Sequence, residues 1–566
     1  MRSDRFDLLV IGAGVTGCGV ALDAAARGLR TALVDSGDLG GGTSSKSSKM
    51  VHGGLRYLSQ GEYRLVAEGL TERQRLLTNA PHLVKPLPFL IPLFSRDPVA
   101  PGAGGSSRAK VKGLAKAYSS ALWLYDLAGG LRIGKRHRRV SAGSARAHLP
   151  LLRSDRLVDA FLYWDAQADD ARLTLALARS AADHGAAVAT YAPVAALLEA
   201  DGRVCGARLA DGTEVRAAAV VNAGGVWSEQ VAELSPSPSG HLRLRPAKGV
   251  HLAVPAHRLP CDYATVLSVP GDRRSVFVVP WDAASASGPD GPGRFTYIGT
   301  TDTDYDGPLD DPQVTPADVG YLLDAVNAWT TAGLSAADVT GSWAGLRPLV
   351  AGGQPGSGDE ATADLSRRHR IDTSPQGLIT VTGGKLTTYR LMAADAVDAV
   401  HHLLGRRLTY CPTRRLAIWG SEGSAELAEP GAAERLGASP VLLRHLAGRY
   451  GGEARALVAM IAADPDLGQA LVPGLPYLRA EALFAARYEM VHSLADVLYR
   501  RTRAGILDRD ATVAAAPAVA ELIGAELGWD SSRQASEVAA VVAGAEAERA
   551  SMAAGVLPTA GGAGRP

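Results

Sequence analysis

The patterned part of the chain opens on an apolar run, Leu8 to Ile11, closed by Gly12, Gly14 and Gly17, which lead through an alanine-rich stretch to a second apolar run, Thr31 to Val34. Short unbroken apolar runs bounded by glycine predict strands buried on both faces, and the stretch between them predicts a helix. Residues 7–36 therefore predict one βαβ unit. Residues 171–188, ARLTLALARSAADHGAAV, carry apolar positions at helical spacing and predict an amphipathic helix. Residues 204–225, VCGARLADGTEVRAAAVVNAGG, predict a hairpin that turns at Asp211-Gly212 and runs into an apolar strand. Helical and strand patterns alternate to about residue 405, and helical patterns dominate after it. Residues 97–110, 282–294 and 351–360 have the Pro/Gly/Ser content of surface loops, and 552–566 is a Gly/Ala/Pro tail expected to be disordered. The pattern predicts a composite α/β part followed by a helical C-terminal domain.

In the first unit, Gly12 suits the tight turn, Gly14 the approach of a pyrophosphate to a helix N-terminus, and Gly17 the close packing of that helix on the sheet. Asp35, eighteen residues past Gly17, suits a ribose hydroxyl and disfavours a 2′-phosphate, which leaves NAD and FAD open. Three further glycine- and hydroxyl-rich stretches decide between them: TSSKSSKMVHGGLRYL (43–58), VVNAGGVWS (220–228) and VTGGKLTTYR (381–390). The usual NAD-dependent dehydrogenase completes its nucleotide site within one compact domain, whereas turns this far apart need an extended ligand to join them. FAD is such a ligand.

Composition narrows the functional classes. The 566 residues are 46% hydrophobic and 21% charged, ordinary for a globular protein, and a net charge of +1 gives no global attraction to nucleic acid or anionic lipid. The four cysteines, Cys18, Cys205, Cys261 and Cys411, are scattered without C-x-x-C spacing, against a disulfide framework or a metal site and in keeping with a reducing compartment. No uninterrupted apolar stretch reaches the ~18 residues of a membrane span. The N-terminal Arg2 and Arg5 precede an apolar run too short for a signal peptide.

The 43–58 and 381–390 stretches, with AKGVHLAV (247–254), IGTTDTDYDG (298–307), GLRPLV (345–350) and LSRRHRI (365–371), closely resemble, in order, segments of the FAD-dependent (aerobic) glycerol-3-phosphate dehydrogenases of the D-amino-acid-oxidase-like flavoprotein superfamily. YEMVHSLADVLYRRTR (488–503) resembles the signature of that family's C-terminal helical domain. The likeness spans almost the whole chain and thins at the loops, at 421–440 and in the tail. It implies a Rossmann-like FAD-binding domain interleaved with a β-sheet substrate domain over 1–405, the interleaved parts at roughly 81–150 and 245–340, and a helical domain over 406–551. It also implies oxidation of sn-glycerol 3-phosphate to dihydroxyacetone phosphate, with hydride passing from C2 to FAD and electrons on to a quinone, in glycerol and glycerophospholipid catabolism. The enzyme would be cytoplasmic, held peripherally against lipid on the inner face of the cell membrane, and a homodimer is among the assemblies expected of it. Two other readings stand beside this: an oxidase that uses O2 and releases H2O2, and a non-catalytic flavin-binding sensor.

A phosphate dianion calls for arginine forks, and Arg56, Arg347 and Arg367 sit in the matching motifs, Arg367 beside an Arg368 that departs from the family's usual acid. Tyr57 and the Thr300-Thr301 pair, Thr301 above all, could add hydroxyls. Lys385, after two glycines, would place a cation near the flavin or the forming alkoxide. His251, alternating with apolar residues, would be the base, with an ordinary pKa near ~6.5. His251, Arg347 and Lys385 are the expected catalytic residues. FAD would be held by Gly12, Gly14, Gly17, Asp35, Thr43, Ser44, Ser48, His52, Val194, Ala223, Gly224, Leu386 and Thr387. Segment 110–139 sets Val111, Leu114, Tyr118, Leu122 and Tyr125 at helical spacing beside Lys110, Lys112 and Lys116, followed by RIGKRHRR (132–139). It reads equally as an amphipathic helix on anionic lipid or as a core-facing helix with a solvated basic loop, and the resemblance favours the first.

Overall fold

Both apolar runs that flank the glycine turn form strands, Phe6–Ile11 and Thr31–Val34, and Leu8, Leu9, Val10, Ala32, Leu33 and Val34 are fully buried. The computed structural model describes residues 5–58, 61–95, 108–237, 243–272, 274–281, 294–350 and 368–553; Arg367, residues 554–566 and most of the three expected loops lie outside these. The two strands sit inside an eight-stranded sheet whose main path runs Arg370–Thr373, Leu378–Thr382, Glu214–Asn222, Phe6–Ile11, Thr31–Val34, Ala187–Ala189. All neighbours on this path are parallel except the edge strand Arg370–Thr373. The hairpin Val194–Ala200/Arg203–Leu209 extends from Glu214–Asn222. Parallel strands need crossovers, and helices Val15–Ala26, Asp170–Asp183 and Tyr389–Leu403 cover one face through Val20, Leu22, Leu173, Leu177, Val397 and Val400. Asp169 caps the second of these by accepting from the Ala171 and Arg172 amides.

Close approach fixes the glycines of the first turn. Gly12 has φ +104, and a Cβ there would stand 2.6 Å from the Ala223 carbonyl oxygen; one on Gly17 would stand 1.7 Å from the Gly12 carbonyl oxygen. Nothing larger fits at either position.

A second sheet, of ten strands, runs Thr303–Asp304, Leu244–Pro255, Phe295–Gly299, Ser275–Trp281, Ala264–Ser268, Val84–Phe94, Leu157–Ala168, Met50–Val51, with Gly341–Val350 also paired to Leu244–Pro255 and Arg138–Ser141 to Leu157–Ala168. It takes in Met50–Val51, Leu157–Ala168 and Gly341–Val350, outside the ranges of roughly 81–150 and 245–340 expected for it. The long antiparallel ladder between Val84–Phe94 and Leu157–Ala168 joins strands separated by helices Arg108–Leu127 and Ala142–His148 and strand Arg138–Ser141, which local pattern does not reveal. Helix Pro316–Trp329, started by a Thr315–Asp318 capping box, covers one face. The other face carries Trp281, Tyr297 and Trp343 in a cluster shared with Leu494, Val497 and Leu507 of the helical C-terminal part. That part comprises helices Pro440–Tyr450, Ala454–Ala463, Arg479–Tyr488, Arg509–Leu527 and Ser531–Ala553, with a π-helical turn at Asp496–Arg501.

Helix Arg108–Leu127 buries one stripe and exposes another. Ala115, Leu122 and Tyr125 enter the core and Tyr118 packs against it, while Trp123, Leu124 and Leu127 are 43%, 42% and 72% exposed. The side chains of Lys110, Val111, Lys112 and Leu114 lie outside the described residues.

Gly17→Ala forces backbone apart where strand, helix and turn meet, a cost on the scale of overpacking, about 3 kcal/mol or more. The purified variant is expected to carry well under half the wild-type flavin per chain and to melt several degrees lower. Wild-type flavin content would contradict the packing described.

Candidate active site

The carboxyl ends of four parallel strands meet at one edge of the first sheet: Gly12 follows Phe6–Ile11, Asp35 follows Thr31–Val34, Ala223-Gly224 follow Glu214–Asn222, and Gly383-Gly384-Lys385 follow Leu378–Thr382. Open parallel sheets bind ligands at this edge. Asp35 accepts from the amides of Ala13 (2.5 Å) and Gly37 (2.8 Å), and burial pushes its carboxyl above the usual range against those two bonds. Ala223 N donates to Ile11 O at 2.8 Å, tying the third turn to the first, and Gly224 N donates to Asn222 Oδ1 at 3.1 Å. Val194 opens the edge hairpin and borders the apolar cluster of Ile11 and Val34.

Segment 43–58 crosses from this sheet to the second, and its hydroxyls pin it to both. Ser44 Oγ accepts from Val15 N (2.9 Å) at the start of the first helix, where a Cβ on Gly14 would stand 3.0 Å from that oxygen. Thr43 Oγ1 donates to Leu346 O (2.6 Å), Ser48 Oγ lies 2.8 Å from His251 Nε2, and His52 N donates to Thr387 Oγ1 (3.0 Å).

Between the sheets lies a cavity of about 840 Å³. Its walls bring together Thr43, Ser48, His52, Arg56, Tyr57, His251, Arg347, Lys385, Leu386 and Thr387, ten of the residues expected from sequence. Arg347 donates through Nη1 to Asp302 Oδ1 (3.0 Å) and through Nη2 to Thr300 Oγ1 and Thr301 O (both 3.2 Å). It lies across Gly249, where a Cβ would come within 2.5 Å of Nη2. Lys385 Nζ is 3.7 Å from the centroid of the Tyr57 ring, and the Arg56 guanidinium is 5.9 Å from it.

His251 stacks on Trp343, ring centroids 4.9 Å apart and planes at 8°. It is 2% exposed, and burial, reinforced by the positive charges of Lys49 and Arg347, holds its pKa well below the ordinary value. The imidazole is therefore neutral at physiological pH, and the expected titration near ~6.5 is corrected downward. Thr301 is a second correction. It is buried with its hydroxyl accepting from Val250 N (3.0 Å), and it is Thr300 and Asp302 that line the cavity. Arg367 lies outside the described residues.

The walls also hold Lys46, Arg274 and Asp302, which sequence reasoning passed over. Arg274 donates to Asp302 O (2.7 Å) and to Asp272 Oδ2 (2.6 Å), and its guanidinium is 5.0 Å from the Tyr321 ring centroid. Nothing local in GDRRSV marks it: Arg274 stands in the turn of the hairpin Ala264–Ser268/Ser275–Trp281, and only the packing of that turn against Asp302 brings it to the cavity. Lys46 stands inside TSSKSS, and its place among hydroxyls that were chosen was the available signal. Burial lowers its pKa.

A glycine turn at a helix start, a buried acid at the second strand's end, and a long cavity reached from two further turns together suit a dinucleotide whose reacting ring lies between the sheets. A family described as FAD dependent oxidoreductase matches residues 7–391, and one described as the C-terminal domain of alpha-glycerophosphate oxidase matches residues 411–534. Over 563 residues the chain is 40% identical to glycerol-3-phosphate dehydrogenase 2 of Mycobacterium tuberculosis, covering 98% of this chain and 90% of that protein. It is 35% identical to the mitochondrial glycerol-3-phosphate dehydrogenase of Mus musculus, covering 95% and 72%. The crystal structure of the glycerol-3-phosphate dehydrogenase from Bacillus halodurans complexed with FAD is 28% identical, with a TM-score of 0.74 over 97% of this chain and 96% of that one. L-alpha-glycerophosphate oxidase from Mycoplasma pneumoniae, 17% identical with a TM-score of 0.53 over 72% of this chain and 97% of that one, shares the fold.

The neutral state of His251 has an optical handle in Trp343, whose emission a stacked imidazolium quenches. The fluorescence difference between wild type and His251→Gln is expected to titrate clearly below pH ~6.5, the value of an unperturbed histidine. Between that value and the lower folded one the unfolded chain binds the extra proton, so stability falls as pH falls through this window. A difference titrating at or above ~6.5 would refute the assignment.

Proposed function

The chain belongs to the FAD dependent oxidoreductase family and, within it, to the glycerol-3-phosphate dehydrogenases; from that premise we propose that it oxidises sn-glycerol 3-phosphate to dihydroxyacetone phosphate and passes the electrons to a quinone. The observation that carries this reading is the pairing of a braced arginine fork with a neutral buried histidine in a cavity that is also lined by segment 43–58 and by the turn Gly383-Gly384-Lys385. FAD, when bound, supplies the acceptor for the C2 hydride.

The chain's own residues do the rest. Arg347, braced by Asp302 and Thr300, presents its fork to the phosphate or to the reacting oxygen, with Arg56 and Arg274 as further cations for a dianion. Loss of hydride from C2 makes its hydroxyl acidic, and that proton passes to His251 Nε2, which a hydroxyl, Ser48 Oγ, already engages. A neutral imidazole is in the accepting form before substrate arrives, and the substrate's negative charge raises its proton affinity once bound. Lys385 stabilises the charge that develops on oxygen.

The far end of the cavity supports the quinone and the membrane. Met50, Leu55, Ile91, Tyr118, Ala121, Leu124 and Phe277 line it, an apolar wall larger than a phosphorylated triol needs. Leu124 both lines the cavity and is exposed on helix Arg108–Leu127 beside Trp123 and Leu127, with Lys116, Lys135 and Arg136 also exposed. The Arg136 guanidinium lies 4.9 Å from the Trp123 ring centroid. An apolar strip with basic neighbours suits the headgroup boundary of an anionic leaflet, here assigned to the inner face of the cell membrane. Among the described residues no helix is long and apolar enough to cross a membrane.

Anaerobic addition of sn-glycerol 3-phosphate is expected to bleach the oxidised flavin band, and a short-chain quinone to restore it far faster than O2 at equal concentration. An unbleached flavin would refute the substrate, and faster recovery with O2 would favour the oxidase. Arg347→Ala is expected to lower kcat/KM about ten- to a hundredfold with flavin content retained, and Arg347→Lys to recover only part, because a point charge does not replace a fork. Trp123→Glu combined with Leu127→Glu is expected to weaken binding to anionic vesicles at least tenfold with flavin content unchanged. Undiminished vesicle binding would move the membrane contact elsewhere.

A further inference from the structure

Residues 36–49 join the acid at the second strand's end to the wall of the cavity, and Thr43, Lys46, Ser47 and Ser48 face that cavity. The other side of the loop is gripped by the C-terminal helical part. Asp38, 2% exposed, accepts from both Nη atoms of Arg501 (2.7 and 2.8 Å) and pairs with Arg500. Arg501 also donates to Glu489 O at 2.6 Å. Two residues on, Arg503 donates to Ser45 O (2.8 Å) and pairs with Asp170 and with Asp169 (3.2 Å). Lys49 donates to the same Ser45 O and to Asp170, both at 3.1 Å. The arginines come from the π-helical turn Asp496–Arg501 and the residue pair beyond it. A π turn rotates successive residues by less than the 100° of an α-helix, which lets Arg500 and Arg501 reach one carboxylate, and such turns concentrate at functional sites. A helical part that only needed to dock could do so through apolar surface. This one directs buried charge at a side chain and a backbone carbonyl of the loop that lines the cavity, where misplacement leaves a charge uncompensated.

We propose that the C-terminal helical part completes the flavin site: Arg500, Arg501 and Arg503 are positioning residues that hold loop 36–49 in the geometry that binds FAD, so FAD binding and the docking of residues 489–503 are thermodynamically coupled. The inference rests on FAD lying between the sheets and is independent of the substrate. Coupling is reciprocal, so FAD must in turn stabilise residues 489–503, none of which lines the cavity.

The test uses the full chain, stripped of flavin and reloaded. FAD is expected to slow amide hydrogen exchange across 489–503 in the wild type at least tenfold. Arg501→Gln is expected to weaken FAD binding, read by flavin fluorescence, about ten- to a hundredfold, with Arg501→Lys between it and wild type. The rise in Tm that FAD confers should shrink in step, because it depends on ligand concentration relative to Kd. A merely structural contact would lower the Tm of apo and holo chains equally and leave FAD affinity within twofold of wild type, which overturns the proposal. Should Arg501→Gln fail to fold, Asp38→Asn and the exchange measurement on the wild type decide alone, and exchange in 489–503 indifferent to FAD overturns it. Flavin that binds as described yet is not bleached by substrate would sink the dehydrogenase reading and leave the coupling intact.

Discussion

Asp170, a carboxylate fully sealed from water, is where the three parts of the chain meet. It accepts from Ser47 N (2.9 Å) and Ser47 Oγ (2.6 Å) of the cavity-lining loop, from Lys49 Nζ (3.1 Å), and from the amide of Ala171 at the start of its own helix (2.9 Å), and it pairs with Arg503 of the C-terminal part. A buried charge is tolerated only when its lone pairs are taken, and removing one partner of such a group costs about 3–5 kcal/mol. The consequence reaches the chemistry in two steps. Lys49 Nζ sits 4.7 Å from the Trp343 ring centroid and Trp343 Nε1 donates to Ser47 O (3.1 Å), while the face of the same indole carries His251. His251 is thus positioned by a carboxylate it never touches.

Charge in the cavity is lopsided by construction. Arg56, Arg274, Arg347, Lys46 and Lys385 line it against Asp302, which braces two of the arginines, Arg347 through its side chain and Arg274 through its backbone. Such an excess favours an anionic ligand over a neutral one, and the charge of Arg347, with that of Lys49, adds to the burial that holds the pKa of His251 down. Arg347 thus contributes both to the positive potential of the cavity and to the neutral state of His251.

What was legible in the sequence was local or matched a motif. The glycine turn declares itself because Gly12 and Gly17 answer to atoms within a few residues or at the next strand, and Asp35 follows by spacing. The motifs brought Arg347, Lys385 and His251 to the cavity. What was not legible depends on tertiary neighbours: which of Thr300 and Thr301 faces inward, which way burial moves His251, and what the hairpin turn that carries Arg274 packs against. Over 110–139 the core-facing positions were legible from helical spacing, and helix Arg108–Leu127 buries that stripe while exposing another. The grip of Arg501 on Asp38 was equally hidden, because the helical signature at 488–503 says nothing of what it holds.

That grip spans 463 residues of chain. On a ribosome adding roughly 5–20 residues per second, the loop carrying Asp38 is out about 25–90 s before its arginine partner exists. The first strand faces a shorter wait of the same kind, since its neighbour on one side, Glu214–Asn222, is made some two hundred residues later. During synthesis the nucleotide half of the molecule is thus an open framework with unsatisfied edges and an exposed acid. It becomes a closed vessel only when the last fifth of the polypeptide arrives, so a stalled or prematurely ended chain is presented to the cell's quality control with its most hazardous surfaces uncovered.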